Sequence, residues 1–160
     1  MYRLHVNDIY RYLYRLTRDA RCAEDLTQET FFRAFSALDD YHGERVRPWL
    51  FKVAYHAFVD WHRKQARRPL HFVEHMPETA DLSAVDPADS LVHREMWASA
   101  HAFLDRLPEK QKQVILLAAM QFSYAEIAQV LGIDVADVKR SLFRGRQKMR
   151  KMWRDEDDDE

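Results

Sequence analysis

Lys139, Arg140 and Arg144 fall on one side of a short amphipathic stretch, with Ala136 and Phe143 beside them. Arginine reads guanine edges bidentately, and lysine or arginine also neutralises phosphates, so such a face suits DNA. A second set, Asp25, Gln28, Glu29 and Phe32, is spaced i, i+3, i+4 and i+7 and puts an aromatic ring among acids on one helical stripe. Such a ring suits an interface anchor with a polar rim; the plainer reading is a solvated acidic face with one aromatic. A third set mixes rings and cations: Trp49, Phe51, Lys52, Tyr55, His56, Arg63 and Lys64. That mixture can stack unpaired bases and hold their backbone, although some of these rings belong to a core, Phe58 and Trp61 first among their neighbours.

Catalytic and metal chemistry find little support. His71 and His75 have the spacing of a metal pair but lack an HExxH pattern and a third ligand. Cys22, the single cysteine, has no evident His or Asp partner, and a chain with 3 Gly has no phosphate-cradling glycine loop. No enzyme activity, cofactor, metal site or small-molecule substrate is expected.

The elements that position these residues read as helices. With 160 residues, 47% hydrophobic and 3 Gly, the chain suits one modest domain or two small ones, all-α. Val6, Ile9, Leu13 and Leu16 define an opening amphipathic helix. A second runs from about Ala23 to Leu38 and buries Leu26, Phe31, Ala34 and Phe35. The stretch from Asp39 to Val46 is a loop, and Pro48 suits the first turn of a third helix that carries Leu50, Ala54, Phe58 and Trp61 before Arg67-Arg68-Pro69 stops it. Residues 69–90 keep no period and hold Pro69, Pro77 and Pro87, so they read as a flexible linker. A helix capped by Ser90 runs to about Leu107, and Pro108 fits the first position of the next, which carries Val114, Leu117 and Met120. Ser123 and Glu126 form a capping box, Gly132 suits a left-handed turn, and Asp134 can cap a helix that buries Val138, Leu142 and Met149. Two short helices joined by a glycine turn describe a helix-turn-helix, whose second helix enters the major groove; the alternative is a helical hairpin with a solvated basic face.

Charge is segregated along the chain. Residues 1–68 carry 13 basic and 9 acidic side chains, residues 69–90 carry 5 acids and no Lys or Arg, residues 91–154 carry 12 basic and 6 acidic, and the tail 155–160 is six acids. Two basic blocks around an acidic linker point to a polyanion partner, and an acidic linker can also occupy an electropositive channel. No apolar run approaches the ~20 residues of a membrane span, and one cysteine cannot form an internal disulfide, so a reducing cytoplasm is expected.

Three motifs in order resemble the extracytoplasmic-function (ECF) RNA polymerase sigma factors of the sigma-70 family. Ala23-Glu-Asp-Leu-Thr-Gln-Glu-Thr-Phe-Phe-Arg-Ala-Phe35 looks like their core-polymerase-binding segment. Arg47-Pro-Trp-Leu-Phe-Lys-Val-Ala54, followed by Asp60-Trp-His-Arg-Lys, is similar to their promoter-melting helix. Leu107-Pro-Glu-Lys-Gln-Lys-Gln-Val-Ile-Leu-Leu117 and the helix-turn-helix resemble their C-terminal DNA-binding domain.

The resemblance implies a region 2-like domain over 1–68, the linker over 69–90, a region 4-like domain over 91–154 and an acidic tail. It implies that Asp25, Gln28, Glu29 and Phe32 grip the clamp helices of the polymerase largest subunit. The flap region would be a further polymerase contact. The loop with Tyr41 and His42 would pocket a flipped base of the −10 element, and Trp49, Phe51, Lys52, Tyr55, His56, Arg63 and Lys64 would help melt it. Lys139, Arg140, Phe143 and Arg144 would meet the −35 element. Three departures stand out: Tyr55-His56 replaces a common Arg-Asn, Arg140-Ser141 replaces a common Ser-Arg, and the loop around His42-Gly43-Glu44 is shortened. An anti-sigma factor, often membrane-anchored, is the implied inhibitor. The rival reading is a stand-alone helix-turn-helix regulator, which would bind duplex DNA by itself, usually as a dimer. A pure interaction module fits poorly with two basic faces.

Overall fold

Ile9, Tyr12, Leu13 and Leu16 recur at helical spacing and are buried along α1 (Tyr2–Thr17), the first element of the computed structural model, which describes residues 2–43, 45–67 and 100–159. Among these residues every regular element is helical, and the chain divides into two compact units, Met1–Pro87 and Ala88–Glu160.

The first unit packs α1, α2 (Ala20–Ser36) and α3 (Val46–Arg67) against one another. Helix α2 starts three residues before the expected Ala23, because Asp19 caps it by accepting hydrogen bonds from the backbone N–H of Arg21 (2.9 Å) and Cys22 (3.2 Å). The turn before it needs a left-handed residue, and Arg18 takes that conformation with φ of 56°. Helix α2 ends at Ser36 rather than Leu38, and Leu38–Asp40 forms a 3-10 turn within the expected loop.

The burial pattern corrects four residues of this unit. Phe35, expected in the core, is 51% exposed: it lies about 100° round the helix from the arc of Ala23, Leu26, Thr30 and Ala34 that faces the other helices. Trp49 and Phe51, expected on a DNA-melting face, are buried. Phe51 packs against Tyr12 of α1, ring centroids 5.1 Å apart, so it is a core side chain. Trp61, expected in the core, is only half-buried, whereas Phe58 is buried as expected.

In the second unit, residues 100–104 form a helical turn that buries Phe103 and Leu104. Three helices follow: α4 (Glu109–Ala119), α5 (Tyr124–Leu131) and α6 (Val135–Asp158). Pro108 is the N-cap of α4, one position earlier than expected, with an extended ψ of 146°. The core joins Val114, Leu116 and Leu117 of α4, Ile127 and Val130 of α5, and Val138 and Leu142 of α6. Met149 is half-buried rather than buried, and the acids from Asp155 to Asp158 continue α6. The expected linker at 69–90, the Ser90 cap, His71 and His75 lie outside the described residues.

Candidate functional site

The turn that aims α6 forms as its residue types require. Ser123 accepts a hydrogen bond from the Glu126 backbone N–H (3.1 Å) while the Glu126 carboxylate accepts one from the Ser123 N–H (2.9 Å). Gly132 closes α5 in the left-handed region, φ 68°, and Asp134 caps α6 by accepting from the Asp137 N–H at 2.7 Å. Where α6 crosses α4, Gly145 is buried, and a Cβ there would stand 2.7 Å from Ile115 Cδ1. The absence of a side chain at that position lets the two helices approach closely.

Opposite that crossing, Ala136, Lys139, Arg140, Phe143 and Arg144 are all exposed, Phe143 by 62%. Arg140 Nη2 lies 3.9 Å from Asp137 Oδ1 on its own helix, and Asp137 also accepts from Lys110 Nζ at 3.0 Å. The Lys110 hydrogen bond, aided by the charges of Lys110 and Arg140, holds the Asp137 carboxyl below the ordinary range. Asp137 thereby pins the N-terminus of α6 to α4 and steadies Arg140. The result is a convex helix face with cations around one exposed ring, suited to a groove lined by phosphates.

On the first unit, Asp25, Gln28, Glu29 and Phe32 are exposed along α2, opposite its buried arc. Phe32 is 69% exposed. Phe35 and Leu38 extend its apolar surface, and both are residues that reasoning from the sequence missed. Periodicity had assigned Phe35 inward; its three-residue spacing from Phe32 was the available signal. Glu29 accepts from Arg33 Nε at 2.8 Å, and Arg33 Nη1 reaches Asp60 of α3 at 2.9 Å.

The aromatic set on α3 is divided. Lys52 and Tyr55 are half-buried, and His56, Arg63 and Lys64 are exposed. Lys52, Tyr55, His56 and Arg63 share one stripe. Trp49 falls on the same side of the helix, yet the half-buried Tyr41 covers it, with ring centroids 5.1 Å apart. His42 beside it is exposed, and Gly43 takes φ 79°. Packing of the loop residue Tyr41 thus contributes to hiding Trp49. Cys22 is half-buried beside Asp19, and burial with the Asp19 charge pushes its thiol up to about 11. At neutral pH that thiol is protonated and a poor nucleophile.

No group of three or more His, Cys, Asp or Glu among the described residues is placed to hold a metal ion. Among them, too, no helix is long and apolar enough to cross a membrane.

Comparison with known proteins matches residues 1–68 to Sigma-70 region 2 and residues 98–149 to Sigma-70, region 4. The sequence is 30% identical to the ECF RNA polymerase sigma factor SigM of Bacillus subtilis, over 96% of this chain and 93% of that protein. It is 34% identical to the ECF RNA polymerase sigma factor SigE of Mycolicibacterium smegmatis, over 92% of this chain and 58% of that longer protein. The fold resembles the sigma factor RpoE from Bartonella quintana, solved with the anti-sigma factor NepR: TM-score 0.71, 20% identity, 96% of this chain and 94% of that one. It also resembles CnrH, solved with the cytosolic domain of CnrY: TM-score 0.62, 25% identity, 95% of this chain and 82% of that one.

Proposed function

The chain belongs to the ECF RNA polymerase sigma factors, and from that premise we propose how its two units divide the work of promoter-specific transcription initiation. The observation that carries this reading is the pairing, in one chain, of an exposed Phe32 rimmed by acids with a helix-turn-helix whose outward face is cationic. A stand-alone regulator needs only the second.

The unit built on residues 1–68 binds core polymerase through Asp25, Gln28, Glu29 and Phe32, with Phe35 and Leu38 enlarging the apolar anchor. An aromatic in the middle of a polar rim is the arrangement that concentrates binding energy. Lys52, Tyr55, His56, Arg63, Lys64 and the loop around Tyr41 and His42 hold the −10 region, rings stacking on unpaired bases and cations on the backbone. Phe51 has no direct part, because it fills the core. The unit built on residues 91–154 reads the −35 element with Arg140 and Arg144, Lys139 on phosphate and Phe143 on base edges or sugar. The chain is assigned no catalytic step of its own.

The solved complexes with NepR and CnrY support an anti-sigma partner for this chain as well. Such a partner covers Phe32, Phe35 and Leu38, which polymerase would otherwise bury. The work is done in the cytoplasm, and a membrane-anchored anti-sigma factor would hold the chain near the membrane.

In vitro transcription with purified core polymerase, with and without this protein, tests the reading. Promoter-dependent initiation only in its presence is the expected result. Tight, dimeric binding to duplex DNA by the protein alone, with no effect on polymerase, would favour the stand-alone regulator and overturn it.

A further inference from the structure

The cationic face of α6 does not stop with the residues that enter a groove. Residues 139–154 hold eight Lys or Arg and no acid. At 100° per residue, Arg150, Lys151 and Arg154 fall on the same side as Lys139, Arg140 and Arg144. They lie opposite the line of Val138, Leu142, Gly145 and Met149 that packs inward. All three are exposed, and none has an ion-pair partner among the described residues. The helix therefore stays amphipathic for about three turns beyond the residues assigned to the −35 element.

Length decides what those turns can reach. From Arg140 to Arg150 is about 15 Å along the axis and to Arg154 about 21 Å, at 1.5 Å per residue. The major groove is ~12 Å wide, so a helix entering it N-terminus first has left the base edges by Arg150 and is passing the phosphates at its lip. At Asp155 the sequence changes sign, and Asp155 to Asp159 are exposed acids that a phosphate row would repel. Cations end and acids begin about where the helix would clear the DNA.

We propose that Arg150, Lys151 and Arg154 form a phosphate-binding extension of the DNA interface, gripping backbone that flanks the −35 element without reading its sequence. This rests on the reading of α6 as the −35-recognising helix. The ligand is the duplex backbone, argued from continuity with that face and from the range of the sign change. An acidic protein is the competing occupant.

The test uses holoenzyme reconstituted with core polymerase. Wild-type holoenzyme first selects a preferred duplex from a pool randomised across the −35 region. Affinity for that duplex and for a scrambled one is then measured from low to moderate salt. The proteins compared are wild type, the triple variant Arg150→Gln/Lys151→Gln/Arg154→Gln, and Lys148→Gln, a cation on the flank of the helix. The triple variant should bind both duplexes roughly tenfold or more weakly at low salt, with a salt slope smaller by about 2–3, near 0.9 per lost phosphate contact. The preference for the selected duplex over the scrambled one should be unchanged. Circular dichroism should show the same helix content, because the substituted side chains are exposed.

An unchanged affinity and slope would overturn the proposal, and so would a lost preference, which would make these residues base readers. Intact DNA binding with transcription lost only when an acidic protein factor is present would overturn it too, in favour of that partner. If wild-type holoenzyme selects no sequence at all, the −35 reading fails instead, and the wild-type arm shows that separately.

Discussion

Arg33 of α2 and Asp60 of α3 meet at 2.9 Å, and the same guanidinium holds Glu29 at 2.8 Å. One arginine thus ties the acidic stripe of α2 to α3, the helix proposed to hold the −10 region. All three side chains are a third or more exposed, so water and salt screen the pairs. A double-mutant cycle of Arg33→Ala and Asp60→Ala should give a coupling below about 1 kcal/mol in thermal unfolding, fading as salt is raised. A coupling of several kcal/mol would mean the pair is a structural keystone rather than an orienting contact.

Phe32→Ala separates binding from folding. The ring is 69% exposed, so stability should stay within about 0.5 kcal/mol of wild type. Affinity for core polymerase should fall by roughly 2 kcal/mol or more, the size usual for a central aromatic anchor. Fluorescence titration of core polymerase with folded variant checks it. Unchanged affinity would remove this face from the polymerase interface.

Gly145 is a steric question with two answers. In Gly145→Ala the new Cβ meets Ile115 Cδ1, the end of a flexible side chain that can swing aside, while alanine adds about 1 kcal/mol of helix propensity. The net change in stability should be small. Gly145→Leu adds three further carbons where Gln111 Cβ and Ile115 Cγ1 already stand in van der Waals contact with the ideal Cβ, at 3.4 and 3.5 Å, and should cost about 1–3 kcal/mol. Melting temperatures of the two variants should therefore diverge widely.

Asp137 gives the second unit a small, salt-screened sensitivity to acid. Lys110 lowers its carboxyl in the folded chain relative to the unfolded value near ~3.9. A depressed folded value adds stability that is complete above the unfolded value and is lost as pH falls through the folded one. Asp137→Asn should melt below wild type at pH 7, and the gap should close as pH falls through the lowered folded value. A gap that persisted once the carboxyl is protonated in both states would assign the loss to something other than the charge.

What could be read from the residues was whatever leaves a local chemical mark. Ser123 with Glu126, Gly132 and Asp134 each announce a helix end by type, and each does what its type suggests. The α1–α2 turn carries no such mark, because an arginine, Arg18, takes the left-handed position that glycine would advertise. Gln121 does the same after α4. On α3, apolar residues surround the helix in its first turns, so periodicity cannot choose the buried side. Tyr12 decides for Phe51 and Tyr41 for Trp49, and both come from other segments of the chain. Phe32 was legible because its neighbours at i−3, i−4 and i−7 are polar, whereas Phe35 has a mixed surround.

Along α6 the inward line of Val138, Leu142 and Gly145 and the outward line of Lys139, Arg140, Phe143 and Arg144 alternate in sequence but have separate tasks. Substitutions outward leave the packing against α4 and α5 almost untouched, since exposed side chains away from the core contribute little to stability. On the proposed reading of α6, promoter preference can therefore change through a few surface substitutions at little cost to folding. A lineage built on this helix can multiply into many regulators of distinct address while the framework beneath them stays the same.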